Sequence, residues 1–198
     1  MLILASNSTT RKALLAGAGL EFESSPASID ERAEEAAVLG KGPAAVARHL
    51  AEVKALAIAR LHPHRIVIGA DQTLSLDDEI FHKPADLDAA REQLSRLRGK
   101  THRLSSGVAL AKDSTVLWSD VATADLTMRA FSDDERDTIL AEEGPLAFGS
   151  VGGYRLEGPS VRLFDRVDGD YFTILGLPLL PLLAALRRHA PTELKGFT

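Results

Sequence analysis

Two polar clusters in this chain follow directly on short apolar runs. In "LILASNSTTRKALL", residues 2–15, an apolar stretch gives way to Ser6, Ser8, Thr9 and Thr10, and then to Arg11 and Lys12. A helix beginning there offers unpaired backbone N–H groups and about half a positive charge, so it attracts phosphate. The hydroxyls and the two cations would complete such a cradle. Ordinary capping produces the same pattern, because Ser and Thr precede helices as caps and a first-turn cation is commonly a solvated face. In the second cluster, Asp71 and Gln72 follow "RIVIGA". A carboxylate at the edge of the core, near a cation, can serve as a base or a metal ligand. The alternative is a loop cap that accepts backbone N–H groups.

The elements that must position these residues follow from pattern. "LILA" reads as a buried strand and "TTRKALLAGAGL" as a helix, capped by Asn7 or Ser8 and stopped by Gly17 and Gly19. Residues 21–42 read as irregular and acidic. Helical spacing runs from Pro43 to Leu61, and "RIVIGAD" reads as a second buried strand. Two apolar strands joined through helices predict parallel neighbours in an α/β sheet, whose ligands bind beyond the strands' carboxyl ends. Further on, "TLSLDDEIF" predicts a hairpin turning at Asp77-Asp78, and "DLDAAREQLSRLRG" a helix capped by Asp86 and stopped at Gly99. Two long strands joined at Asp113-Ser114 follow. Ser132 and Glu135 form a capping box that opens another helix. A Gly-rich loop "GSVGGYRLEG", a strand at "VRLFDRV" and a final helix over 178–189 complete the chain, with a disordered tail expected over 191–198.

Composition narrows the function. With 198 residues, 45% hydrophobic and 26% charged, the chain is one large domain or one domain of two lobes. It has no cysteine, so disulfide frameworks and thiolate metal or redox sites are excluded. A net charge of −5 argues against a broad nucleic-acid surface. No apolar run approaches the roughly 20 residues of a membrane span and no signal peptide is evident, so a cytoplasmic location without a membrane partner is expected. The six histidines lack zinc spacing, and neither a Walker-type phosphate loop, a G-x-G-x-x-G fingerprint nor a G-x-S-x-G elbow occurs.

Several stretches together resemble the Maf family of nucleoside triphosphate pyrophosphatases. "LASNSTTRKALL" is similar to its Ser-rich opening, "IDE" to its acidic loop and "AEVKA" to its lysine helix. "GADQTLSLDDEIFHKPADLDAAREQLSRLRGKTHRLSSGVAL" resembles its central block, and "VGGYRLEG" and "ILGLPLLPLLAALRR" its glycine loop and terminal helix. The likeness implies a two-lobed α/β fold with a long twisted mixed sheet, flanking helices and a central cleft. It implies hydrolysis of a nucleoside triphosphate between the α and β phosphates, giving a monophosphate and pyrophosphate. Position by position, Ser6, Ser8, Arg11, Lys54 and Lys83 match phosphate-handling residues, Glu31 an acidic position near the metal, and Asp71 the proton acceptor or a metal ligand. Mg²⁺ or Mn²⁺ is the implied cofactor, since a triphosphate's charge must be screened before water approaches. Family likeness alone suggests a homodimer. A second reading it carries is a nucleotide-binding regulator of septum formation with little turnover.

Thr10, Gln72 and Glu157 bear on base choice. Gln72 and Glu157 match the subgroup acting on 7-methyl-GTP, whereas Thr10 stands where that subgroup carries Trp. A methylated guanine is cationic, so an acidic partner and an aromatic surface would both favour it. Ser150 stands where many members place a Lys in the glycine loop.

Overall fold

The computed structural model describes residues 1–194. Seven strands form one mixed sheet flanked by helices. The strands are β1 (Leu2–Leu4), β2 (Phe22–Ser24), β3 (Ile66–Leu76), β4 (Glu79–Phe81), β5 (Thr101–Lys112), β6 (Thr115–Met128) and β7 (Phe164–Asp168). Their order is β2-β1-β3-β5-β6-β7, with β4 paired to β3. β1 runs parallel to β2 and to β3, whereas β4 on β3 and β7 on β6 are antiparallel. No helix among the described residues is long and apolar enough to cross a membrane.

The chain divides into two compact units. Met1–Gln72, Ser105–Ala122 and the chain from Asp170 on form the first; Thr73–Leu104 and Thr123–Gly169 form the second. In the first unit, strand alternation sorts two cores. Leu2, Leu4, Ile66, Ile68, Ala70, Val108 and Leu110 pack with residues of helices α1 (Thr9–Gly17) and α7 (Leu179–His189). Ile3, Ala5, Val67, Ala109 and Ala111 face α3 (Pro43–Ala59).

The α3 side is built from small residues. Ala47, Ala51, Ala55 and Ala59 recur every four positions and are fully buried. Opposite them lie two strand glycines: a Cβ on Gly69 would meet the Ala51 carbonyl oxygen at 2.0 Å, and one on Gly107 the Ala47 oxygen at 2.3 Å. The helix thus rests directly on the sheet backbone, closer than side chains on β3 and β5 would permit.

Several turns are as expected. Asp86 caps α4 (Leu87–Leu97), Ser132 and Glu135 form both halves of a capping box on α5 (Asp133–Glu143), and Leu76 pairs with Glu79 across the hairpin turn. Three segments differ. Residues 21–42 contain β2 and α2 (Glu31–Val38), capped by Asp30; neither element buries a residue, so no apolar periodicity announces them. The "VRL" of the expected strand lies in a 3₁₀ turn, Pro159–Leu163, with β7 starting only at Phe164. A one-turn helix, α6 (Tyr171–Ile174), capped by Asp170, was not anticipated. Of the tail expected over 191–198, Pro191–Glu193 form a 3₁₀ turn and Leu194 is buried with the α1/α7 core, while 195–198 lie outside the described residues.

Candidate active site

The first cluster forms where β1 stops. Register pairs Leu4 with Ile68, and Ala5 donates the last ladder bond, to the Ile68 carbonyl at 2.8 Å. The chain then turns through Ser6 to Ser8, whose side chain accepts from Arg11 N at 3.3 Å and is therefore the α1 cap, not Asn7. β3 continues past the end of β1, and Arg11 takes up the carbonyl left there: Nη1 donates to Ala70 O at 3.0 Å and to Ser6 Oγ at 3.2 Å. Its Nε donates to Gly176 O at 2.8 Å. Arg11 thus ties the helix start, the sheet and the turn after α6 into one frame. Burial weakens the guanidinium's hold on its proton, and the negative charges of Asp71 and Glu31 oppose that. Ser6 Oγ also accepts from Ser8 N at 3.2 Å, so the loop's hydroxyl and amide groups are already oriented before any ligand arrives. The side chain of Thr10, in the first turn, makes no hydrogen bond among the described residues.

Asp71 lies within β3 and not beyond its end, as the sequence suggested; the strand runs five residues further, to Leu76. Alternation puts its side chain on the α3 face with Val67 and Gly69. There Lys54 Nζ, on α3, donates to Asp71 Oδ1 at 2.6 Å and lies 2.9 Å from Glu31 Oε1 at the start of α2. Lys54 and Asp71 are each only 8% exposed, so their charges meet with little solvent between them. Burial raises the Asp71 carboxyl above its ordinary range, more than Lys54 and then Arg11 lower it. The site therefore holds a carboxylate with enhanced basicity, bonded to one cation and within the field of a second, with another, exposed carboxylate on the same ammonium.

Gln72 points to the opposite face. Its Nε2 donates to Ser106 Oγ at 2.9 Å, Ile174 O at 3.0 Å and Thr173 O at 3.1 Å, so its amide hydrogens are committed to β5 and α6. The structure brings Ser6, Ser8, Arg11, Glu31, Lys54 and Asp71 together in the first unit. Lys83 and Glu157 belong to the second. Lys83 is exposed between β4 and α4, and Glu157 is exposed in the turn that precedes the 159–163 segment; neither has a partner among the described residues. Sequence reasoning passed over Gly69, Gly107 and Gly176, which set helix height and hold Arg11. A glycine inside a strand pattern was the available signal for the first two. Among the described residues, no three His, Asp or Glu side chains are grouped to hold a metal.

Comparison with known proteins shows the family. The family model described as "Maf-like protein" matches residues 1–189. The 7-methyl-GTP pyrophosphatase of Brucella abortus is 53% identical over 190 residues, covering 95% of this chain and 96% of that protein. The protein of the same name from Mesorhizobium japonicum is 50% identical over 188 residues, 94% of each chain. A nucleoside triphosphate pyrophosphatase of Rhodopseudomonas palustris is 48% identical over 188 residues, 95% of this chain and 93% of that one. With a matching family model over nearly its whole length and relatives at about half identity, this chain belongs to the Maf-like protein family.

Proposed function

We propose that this chain hydrolyses a nucleoside triphosphate between the α and β phosphates, releasing the monophosphate and pyrophosphate, and that its preferred base is 7-methylguanine. The observation that carries the reaction is Asp71: a carboxylate of raised basicity, buried in a strand beside a helix start lined with hydroxyls and cations. Lys54 occupies Oδ1, which leaves Oδ2 to take the proton of the attacking water. The α1 N-terminus, Ser6, Ser8 and Arg11 hold phosphate oxygens, and Lys54 and Lys83 add cations that offset the triphosphate's charge.

Glu31 and Asp71 suit a Mg²⁺ or Mn²⁺ ion. Both carboxylates contact Lys54 Nζ and so lie close enough to share one cation, and Mg²⁺ is commonly bound by one or two carboxylates plus substrate phosphates and water. Such an ion, when bound, screens the phosphate charge and polarises the bond that breaks.

Names of the relatives and the free carboxylate of Glu157 support the base assignment, because an unpaired anion favours a cationic ring over neutral guanine. Nothing favours the septum-regulator reading. The test is pyrophosphate release from 7-methyl-GTP, GTP, UTP and dTTP with Mg²⁺ or Mn²⁺. The expected result is the highest kcat/KM on 7-methyl-GTP. Faster turnover of UTP or dTTP overturns the base assignment, and no release from any of the four overturns the reaction.

A further inference from the structure

The second unit contains a buried carboxylate that the reaction does not use. Glu143, the last residue of α5, has a side chain with no solvent exposure. Its Oε2 accepts from Arg155 Nε at 2.8 Å, and its Oε1 from Ser160 N at 3.0 Å and Ser160 Oγ at 2.8 Å. A buried charge is tolerated only when paired and hydrogen-bonded, and here three donors meet that need. The fit is tight: a Cβ on Gly158 would stand 2.5 Å from Glu143 Oε1 and 2.9 Å from Arg155 Nη2.

Between the two residues that Glu143 grips lies Glu157. It shares with Arg155 a four-residue turn closed by Gly158 N donating to Arg155 O at 3.2 Å. An arginine and a carboxylate two positions apart can reach one another, as Arg166 and Asp168 of this chain do at 2.9 Å, so Arg155 is a ready partner for Glu157. The structure shows the other outcome: Arg155 is drawn inward to Glu143, and Glu157 stands exposed without a hydrogen-bond or ion-pair partner among the described residues.

We propose that Glu143 is a specificity-determining positioning residue, which sequesters Arg155 so that the Glu157 carboxylate stays unpaired for a cationic base. This rests on the reading above that Glu157 selects a methylated guanine. Glu143 touches no substrate; it acts through Arg155. The burial of Glu143 makes the arrangement durable, because releasing Arg155 would strand a charge in the protein interior.

The experiment compares wild type, Glu143→Gln, Arg155→Gln and the double variant on 7-methyl-GTP and GTP, with melting temperature as a check of folding. Wild type prefers 7-methyl-GTP. In Glu143→Gln the freed guanidinium pairs with Glu157, and the preference falls about tenfold, through KM for 7-methyl-GTP with kcat nearly unchanged. Arg155→Gln keeps the wild-type preference, and adding it to Glu143→Gln restores that preference. A merely structural role for Glu143 would give no such rescue. A double variant that stays low, an Arg155→Gln that loses preference by itself, or a Glu143→Gln with full preference overturns the proposal. A wild type without preference overturns the base assignment and this role together, which separates that failure from the others. If Glu143→Gln does not fold, Arg155→Gln still decides: loss of the preference there shows that Arg155 supports the loop instead of threatening Glu157.

Discussion

Replacing Gly69 with alanine tests how the site is assembled. The added Cβ would stand 2.0 Å from Ala51 O and 2.8 Å from both the N and the Cβ of Ala55. Real Cβ contacts essentially never fall below 3.0 Å, so α3 must lift by at least 1.0 Å over β3. Two of the three clashing atoms are backbone, so no side-chain rotation relieves the contact. Overpacking of this kind costs about 1–3 kcal/mol, which for a chain this size lowers Tm by roughly 2–12 °C. Lys54 lies three residues after Ala51 on the same helix, and its 2.6 Å bond to Asp71 would be stretched by a similar amount. Misplacement of about 1 Å in a catalytic arrangement lowers rate by about 100-fold. The assays are thermal unfolding and pyrophosphate release at saturating substrate. Gly17→Ala is the control: nothing lies within 4 Å of a Cβ there, so it is neutral or slightly stabilising. Wild-type Tm and turnover in Gly69→Ala would refute the account of α3 resting on the strand backbone.

Other perturbations give separable outcomes. Lys54→Met leaves Asp71 buried without its ammonium and destabilises by about 3–5 kcal/mol at pH 7.5, and less as pH falls and the carboxyl takes a proton; a loss that does not shrink with falling pH in urea titrations would contradict this. His102, 2% exposed and bonded through Nε2 to Tyr154 OH at 2.7 Å, is lowered by burial from 6.5 to about 4. The unfolded chain therefore binds the proton first, and stability contributed by neutral His102 is full above pH 6.5 and lost as pH falls towards 4, by about 3 kcal/mol. A His102→Gln variant should lack that slope when unfolding is followed across the window. Ser132→Ala removes one half of the capping box on α5 and should lower stability by about 1 kcal/mol in denaturant titration, with turnover unchanged.

How much of this was legible depends on what kind of signal each feature leaves. Buried strands and capped helices announce themselves locally: "LILA", the Asp86 cap and the Ser132–Glu135 box need only neighbouring residues, and each is found where expected. Elements without a buried face leave no period, which is why β2 and α2 read as irregular. Asp71 looked like the end of a strand because a carboxylate is rare inside one; it is tolerated there because Lys54, 17 residues earlier, reaches it across the α3–sheet contact. That pairing is a tertiary fact. The same holds for Gln72, whose amide is engaged by Ser106, Thr173 and Ile174, and for Glu143, whose partners lie 12 and 17 residues away. Residue pattern singled out Ser6, Ser8, Arg11 and Asp71, and resemblance added Glu31 and Lys54; that these six meet where β1 ends and β3 continues is a tertiary fact that neither could state.

The central claim is that Asp71 activates water for cleavage between the α and β phosphates. The most direct measurement identifies the products of 7-methyl-GTP turnover, pyrophosphate and monophosphate against orthophosphate and diphosphate, for the wild type and Asp71→Asn, with Tm recorded on both. The account predicts pyrophosphate and the monophosphate from the wild type and no turnover from a folded Asp71→Asn. Orthophosphate as the first product, or a variant that retains wild-type turnover, would contradict it.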